Sequence, residues 1–334
     1  MRRPSVICLT PVRNEAWILE RFLRCASLWA DHIVIADQRS EDGSSEIARR
    51  FPKAILVANP APGLDESARQ NLLLHAARQI PGPRLLIALD ADEILTAGAW
   101  TTAEWAAMLH AKPGTLFRFR MQNLLPGLRR CWQEMPSEGL WGFLDDGSPH
   151  QGDLLHSRRL PVPAASRRRE LAGIEILHFQ YTDWARMLAK QRWYQCLEAL
   201  LRPHRGPLAI YRQYHHMHAV PRARLAPVRR EWLAGYEERG IDMRRVEGGP
   251  PYWFDREVAA LLDRHGAAHF RRVALWDADW TTLAATFGYA PGPRFRDPRS
   301  PRQKLVHAWL RHSQRLRHRP AVQRVDRWLE HRGW

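Results

Sequence analysis

A chain of 334 residues is long enough for one large α/β domain with an appendage, or for two domains that each bury a core. A hydrophobic share of 45% and 15 Trp exclude a disordered or low-complexity chain, because that much apolar and aromatic surface has to be buried. The formal net charge of +16 points to nucleic acid, an anionic membrane face or a phosphorylated substrate, yet Lys occurs only at Lys53, Lys112, Lys190 and Lys304, so a general preference for Arg explains it equally well.

The first 95 residues alternate strand and helix. Ser5 to Thr10 is a short apolar strand, and Trp17, Ile18, Phe22, Cys25 and Leu28 give Glu15 to Trp29 a helical spacing. His32 to Asp37 is a second strand, followed by a loop in which Asp42-Gly43 makes a turn and Ser44 or Ser45 caps a helix running to Phe51. Ala54 to Ala58 is a strand, Glu66 to Gln79 a helix and Leu85 to Leu89 a fourth strand. Three successive βα crossovers predict a mostly parallel sheet flanked by helices, the α/β class.

Beyond Ala97 the spacing predicts a helix over Thr102 to His110 and a half-buried edge strand over Thr115 to Met121, where Phe117 and Phe119 alternate with Arg118 and Arg120. Gln122 to Arg169 reads as loops and short strands, and Ile174 to Phe179 as a strand. From Asp183 the chain reads as helical: Trp184 to Leu201, Pro227 to Arg239, Arg256 to His265, a stretch around Leu275 to Phe287, and an Arg-rich tail from Gln303. The expected domains are therefore residues 1–181, a catalytic α/β domain, and residues 182–334, a helical region rich in Arg and Trp.

Cys8, Cys25, Cys131 and Cys196 form no CxxC pair, so neither a disulfide framework nor a thiolate zinc site is indicated. MRRPSVICLT is a poor signal peptide and nothing approaches the ~18 to 20 apolar residues of a membrane span. A cytoplasmic protein, peripheral on the inner face of the membrane at most, is the expectation.

In an open parallel sheet, ligands bind outside the carboxyl ends of the strands. Here those ends carry Thr10-Pro11 followed by Glu15, then Asp37, then Asp90-Ala91-Asp92-Glu93. Two carboxylates spaced i and i+2 at a strand end can hold a hard divalent cation and leave positions open for the phosphates of a nucleotide. A second pair, Asp277 and Asp279, stands among Trp276, Trp280 and a helical pattern, and reads as a helix start or cap.

The segments LTPVRNEAWILERFL, ADQRSEDGSSEIA, SARQNLLLHAA and LLIALDADEIL follow in order and spacing the N-terminal pattern of family 2 glycosyltransferases, which this half of the chain resembles. The resemblance implies a GT-A fold and inverting transfer of a sugar from a nucleoside diphosphate, a UDP-sugar above all, with Mg²⁺ or Mn²⁺. It implies that Thr10, Pro11 and Glu15 line the nucleobase and ribose, that Asp37 hydrogen-bonds the base and that Arg69 approaches base or diphosphate. Asp90 would lie near the ribose and Asp92 would hold the metal. Gln38 stands where the family more often has a second acid.

Inverting transfer also needs a general base. Glu138 is the candidate, because relatives carry a His-Glu pair in a comparable position and Ser137-Glu138 resembles it without the His; Glu134, Asp145 and Asp146 are the alternatives. His178, ending its strand, is a candidate third metal ligand or phosphate contact. Trp309, Trp328 and Trp334 among Arg and His either lie in a membrane interface or pack between helices. The expected partners are the nucleotide-sugar, a glycan or lipid-linked acceptor and the membrane surface, with nucleic acid not among them. A nucleotidyltransferase making the nucleotide-sugar itself, or a non-catalytic binder of a polyanion, are the competing readings. The Gly-free loop TPVRNEAW counts against the first of these, since a triphosphate cradle is built on Gly.

Overall fold

The computed structural model describes residues 2–134, 139–246 and 248–334. The chain divides into two compact units, Met1–Thr182 with Ala226–Gly248, and Asp183–Leu225 with Gly249–Trp334.

The first unit opens with β1 (Ser5–Val12), α1 (Ala16–Ala26), β2 (His32–Asp37), α2 (Ser44–Arg49), β3 (Ala54–Ala58), α3 (Glu66–Arg78) and β4 (Arg84–Ala88). These strands pair in parallel in the order β3-β2-β1-β4. Their near-continuous apolar runs follow from burial on both sides. Ile7, Leu9, Val34, Ala36 and Leu86 pack with Leu73, Leu74 and Ala77 of α3, while Val6, Cys8, Ile33, Ile35 and Ile87 pack with Ile18, Leu19 and Phe22 of α1.

The chain continues through β5 (Glu93–Leu95), α4 (Ala103–Leu109), β6 (Thr115–Leu124), β7 (Arg130–Glu134), β8 (Leu140–Leu144) and β9 (Arg167–His178). β8 pairs antiparallel with β4 and with β6, β7 pairs antiparallel with β6, and β9 runs parallel to β6 and antiparallel to β5. The α/β sheet flanked by helices is as expected, with an antiparallel extension beyond β4. The edge position expected for Thr115 to Met121 is not found, since β6 has partners on both sides. Alternation of Phe with Arg reports one buried side of a strand and says nothing about its neighbours. Gly142 is required where β8 meets β6, because a Cβ there would stand 3.0 Å from Cβ of Phe117.

The second unit starts with α5 (Trp184–Leu201) and α6 (Pro207–Tyr214). The chain then makes β10 (Leu225–Pro227) and α7 (Glu231–Glu237), and residues 226–248 belong to the first unit, not to the helical region in which the sequence pattern places them. The reason is packing: Trp232, Leu233 and Tyr236 join the core of the first unit, and the Tyr236 hydroxyl donates to the carbonyl of Leu95 at 2.8 Å. A helical period cannot say which core it faces. α8 (Trp253–His265), α9 (Trp280–Thr286), α10 (Pro301–Ser313) and α11 (Pro320–Glu330) complete the second unit. There Trp334 and Trp309 pack with Leu208, Tyr211, Leu310 and Leu329, so of the three tail tryptophans only Trp328, 52% exposed, is available to an interface. Among the described residues no helix is long and apolar enough to cross a membrane, and all four cysteines are buried and free.

Candidate functional site

The register of the parallel strands sets the acidic and polar strand ends side by side. Leu9 pairs with Ala88 and Val12 with Asp37, so Thr10, Pro11, Asp37 and Asp90 all emerge at one edge of the sheet. Arg69, in the first turn of α3, lies at the same end. Three of these residues keep a buried polar atom with no hydrogen-bond partner: Oγ1 of Thr10, Oδ1 of Asp37 and Nε of Arg69. Buried polar groups left unsatisfied are rare, and their grouping at one rim suits a polar ligand.

The loops around this rim are stapled to one another. The N–H groups of Asn14, Glu15 and Ala16 donate to Oγ of Ser40 (2.9 Å), Oγ of Ser44 (2.9 Å) and Oδ2 of Asp42 (2.8 Å). Asn14, at φ 55°, accepts from the N–H of Glu41. The backbone donors that open α1 are therefore already used by the loop after β2. Oδ2 of Asp37 accepts from the Ser45 hydroxyl at 2.7 Å, which fixes the carboxylate and leaves its other oxygen unpaired. Glu15 accepts from the indole N–H of Trp17 at 2.6 Å. Gln38 is buried, and its amide donates to the carbonyls of Ala61 (3.1 Å) and Gly63 (2.6 Å). It braces the β3–α3 loop where an acid would have no carbonyl to serve.

At the β4 end, the carboxylates are sorted by partner. Arg159 donates to Oδ2 of Asp90 at 2.8 Å and forms a two-pronged pair with Glu93, whose side chain is 1% exposed. Burial works against the Arg159 charge, but the carboxylates of Asp90 and Glu93 outweigh it and hold the guanidinium above its ordinary pKa. Glu93 in turn accepts from the N–H of Asp90 at 3.1 Å, so the turn carrying Asp90 and Asp92 is fixed from both sides.

Asp92 is brought to His178 by strand pairing. β5 pairs Glu93 with His178, and the N–H of Phe179 donates to the carbonyl of Asp92 at 2.7 Å. Nε2 of His178 stands 3.8 Å from Oδ2 of Asp92. Nδ1 of His178 meets Oδ1 of Asn123 at 2.7 Å, and the Asn123 amide donates to Oε2 of Glu134 at 2.7 Å. Glu134 can only accept, so Asn123 turns its carbonyl to the ring and Nδ1 carries a proton, which leaves Nε2 as the ring nitrogen that faces Asp92. Nε2 of His178 and Oδ2 of Asp92, too far apart at 3.8 Å for a hydrogen bond, are the two atoms here that could share a cation. Among the described residues no group of three or more His, Cys, Asp and Glu is placed to hold a metal.

The structure separates the candidate bases. Glu138 lies outside the described residues. Asp145 is removed from the site: its N–H donates to the carbonyl of Arg84, at the opposite end of β4 from Asp90, and its carboxylate pairs with Arg78 and Arg84. Asp146 follows it there, accepting from the N–H of Ser148. Glu134 is at the site, as the anchor of Asn123. The lone second pair is a cap: Asp279 accepts from the N–H groups of Thr281 and Thr282 at the start of α9, and Asp277 pairs with Arg192. Arg159 and Asn123 were not singled out by sequence, and Glu93 was named only as part of the acidic strand end. Only the strand register could have found Asn123, and Arg159 stands in an irregular stretch with nothing to distinguish it from other arginines. Beside Arg159 a cavity of about 420 Å³ is lined by Met121, Trp141, Asp153 and Ser157. The indole N–H of Trp141 is buried without a partner.

No family model matches this sequence, and no curated protein matches it. Solved structures that resemble parts of it include 4-diphosphocytidyl-2C-methyl-D-erythritol synthase, at 12% identity, covering 28% of this chain and 48% of that one with a TM-score of 0.22. Mannose-1-phosphate geranyltransferase from Thermus thermophilus matches at 19% identity over 44% of this chain and 51% of its own, with a TM-score of 0.27. Mannose-6-phosphate isomerase from Helicobacter pylori matches at 17% identity over 39% and 57%, with a TM-score of 0.25. The matched region thus spans about half the length of each of these proteins.

Proposed function

We propose that the first unit is a nucleotide-sugar-dependent glycosyltransferase whose donor lies along the carboxyl edge of β1, β2 and β4. The observation that carries this reading is the approach of Nε2 of His178 to Oδ2 of Asp92, next to three unsatisfied polar atoms on one rim. Thr10, Pro11, Glu15 and Asp37 would hold the nucleoside, with the unpaired Asp37 oxygen as acceptor for a base or ribose donor. Arg69 would meet the diphosphate. Asp92 and His178 would hold Mg²⁺ or Mn²⁺, which supplies charge neutralisation at the diphosphate leaving group. Arg159 positions Asp90 for the ribose side and adds positive charge beside the phosphates. Glu138 would take the proton of the acceptor hydroxyl as it attacks the anomeric carbon. The cavity beside Arg159 has the mixed aromatic and polar lining that a sugar ring needs. A glycan or lipid-linked molecule would be the acceptor.

The competing reaction is formation of a nucleotide-linked product, as the name of the diphosphocytidyl-methylerythritol synthase describes. Its triphosphate would need free backbone donors in the β1–α1 loop, and those of Asn14, Glu15 and Ala16 are engaged by Ser40, Ser44 and Asp42. A single assay separates the two. Incubation with a panel of UDP-sugars and Mn²⁺ should release UDP and consume the sugar, whereas pyrophosphate release from a nucleoside triphosphate and a sugar phosphate would favour the second reaction.

A further inference from the structure

The second unit has a concave site that the donor chemistry does not use. A cavity of about 560 Å³ is lined by Arg299, Arg311 and Arg315 together with Tyr211, His215 and Trp276, a volume suited to a small organic ligand. Asp277 is the only acid among the described lining residues, and it shares Arg192, at 3.2 Å, with Asp255, at 3.1 Å. Arg299 is matched by Asp297, with two contacts of 2.9 Å. Arg315 donates only through Nε, to the carbonyl of His218 at 3.1 Å, and Arg311 makes no hydrogen bond or ion pair among the described residues. Two guanidinium groups four residues apart therefore share one hollow with no carboxylate bonded to either among the described residues, and like charges at that spacing repel.

The rest of the lining is aromatic. The rings of Tyr211 and His215 stack at 3.9 Å with an interplanar angle of 7°. Trp276 spends its indole N–H on the carbonyl of Phe270 at 3.0 Å, so only its apolar ring surface is left to a ligand. Burial pushes His215 down to about 3 and His307 to about 4, so these imidazoles are neutral near pH 7 and the positive charge of the hollow is that of its arginines.

We propose that this cavity binds a phosphate monoester, with Arg311 and Arg315 on the phosphate oxygens and the Tyr211–His215 stack and Trp276 against the organic part. A phosphate monoester carries about −2 at neutral pH, which matches two unpaired guanidinium groups, whereas a carboxylate would leave one uncompensated. The ester comes either from a soluble metabolite or from a lipid headgroup. The lipid source is worth its own arm, because Leu305 and Leu316, on the same segment as Arg311, are 72% and 41% exposed.

The test uses the full chain. Glycerol 3-phosphate is titrated by calorimetry into the wild type, the Arg311→Gln/Arg315→Gln double variant, Arg311→Gln alone and Arg311→Lys, and flotation is run with phosphatidylcholine vesicles with and without phosphatidic acid. Neither arginine is buried and Arg311 has no bond to lose, so unfolding temperatures should stay at the wild-type value, with the single variant as the safeguard. The expected result is saturable, salt-sensitive binding that weakens at least about tenfold in the double variant and is partly kept by Arg311→Lys. Capture by phosphatidic acid vesicles that the double variant loses would identify the lipid source, and soluble binding without capture the metabolite source. Absence of binding to either probe, or binding that the double variant leaves unchanged, overturns the proposal.

Discussion

The two ends of β4 carry the same chemical groups in opposite ratio. At its start one carboxylate, Asp145, meets two arginines, Arg78 at 2.9 Å and Arg84 at 3.0 Å, and also accepts from the N–H of Gly147. At its end Asp90 and Glu93 share one arginine, Arg159, while Asp92 faces the ring of His178. The first cluster is closed, with the Asp145 side chain 0% exposed and each oxygen bonded. The second has an excess of negative charge and is bordered by unsatisfied atoms of Thr10, Asp37 and Arg69. A cluster that completes its own bonds stabilises the fold, and one that leaves them incomplete is built to take something in. Substitutions at the two ends should therefore fall on different measurements.

The largest expected effect is at the proposed general base. Glu138→Gln should lower kcat by roughly 10² to 10⁴ with little change in donor KM, the range for loss of a general base. A variant that kept its turnover would hand the role to Glu134, the candidate acid that bonds to Asn123.

Asp145→Asn should act only on stability. Leaving two arginines without their carboxylate should cost about 2 to 3 kcal/mol, read as a lower urea midpoint, with kcat unchanged below the transition. Burial alone would raise the Asp145 pKa, but the bonds from Arg78, the Gly147 N–H and Arg84 bring it below its ordinary value. A depressed pKa in the folded state means the stabilisation is present above the unfolded pKa of about 3.9 and is lost as pH falls through the folded value. Acid unfolding should thus be less steep in the variant. Loss of activity in Asp145→Asn without loss of stability would erase the contrast between the two ends.

Asn123→Ala should weaken Mn²⁺ affinity about 10- to 100-fold while leaving the fold in place, because it frees the His178 ring to change tautomer and orientation. Unchanged affinity would mean that the Glu134–Asn123–His178 chain has no part in holding the ion. The smallest effect is expected at the second acid pair: Asp279→Ala should shift unfolding slightly, through the lost cap of α9, and leave turnover alone.

The parallel half of the sheet was legible in the sequence because strands buried on both faces are written as unbroken apolar runs between turn residues, as Ser5–Val12 and His32–Asp37 are. The place of Thr10, Asp37 and Asp90 at one rim followed from that alternation. What escaped depends on pairing between distant segments. Nothing local in Glu231–Glu237 tells that Tyr236 bonds to Leu95, and nothing in Asn123 tells that β9 runs beside it. Arg159 and Asp145 show the same limit from two sides: one arginine among many proved to clamp the acid pair, and one loop acid considered as a base proved to hold the far end of the strand.

Calorimetric titration of UDP with Mn²⁺ tests most directly whether the carboxyl end of β4 is the donor site. Wild type and Asp145→Asn should bind UDP in a Mn²⁺-dependent way, and Asp92→Asn should lose that dependence together with most of the affinity. UDP binding that is indifferent to Mn²⁺ and to Asp92→Asn, or its absence from the wild type, would contradict the assignment.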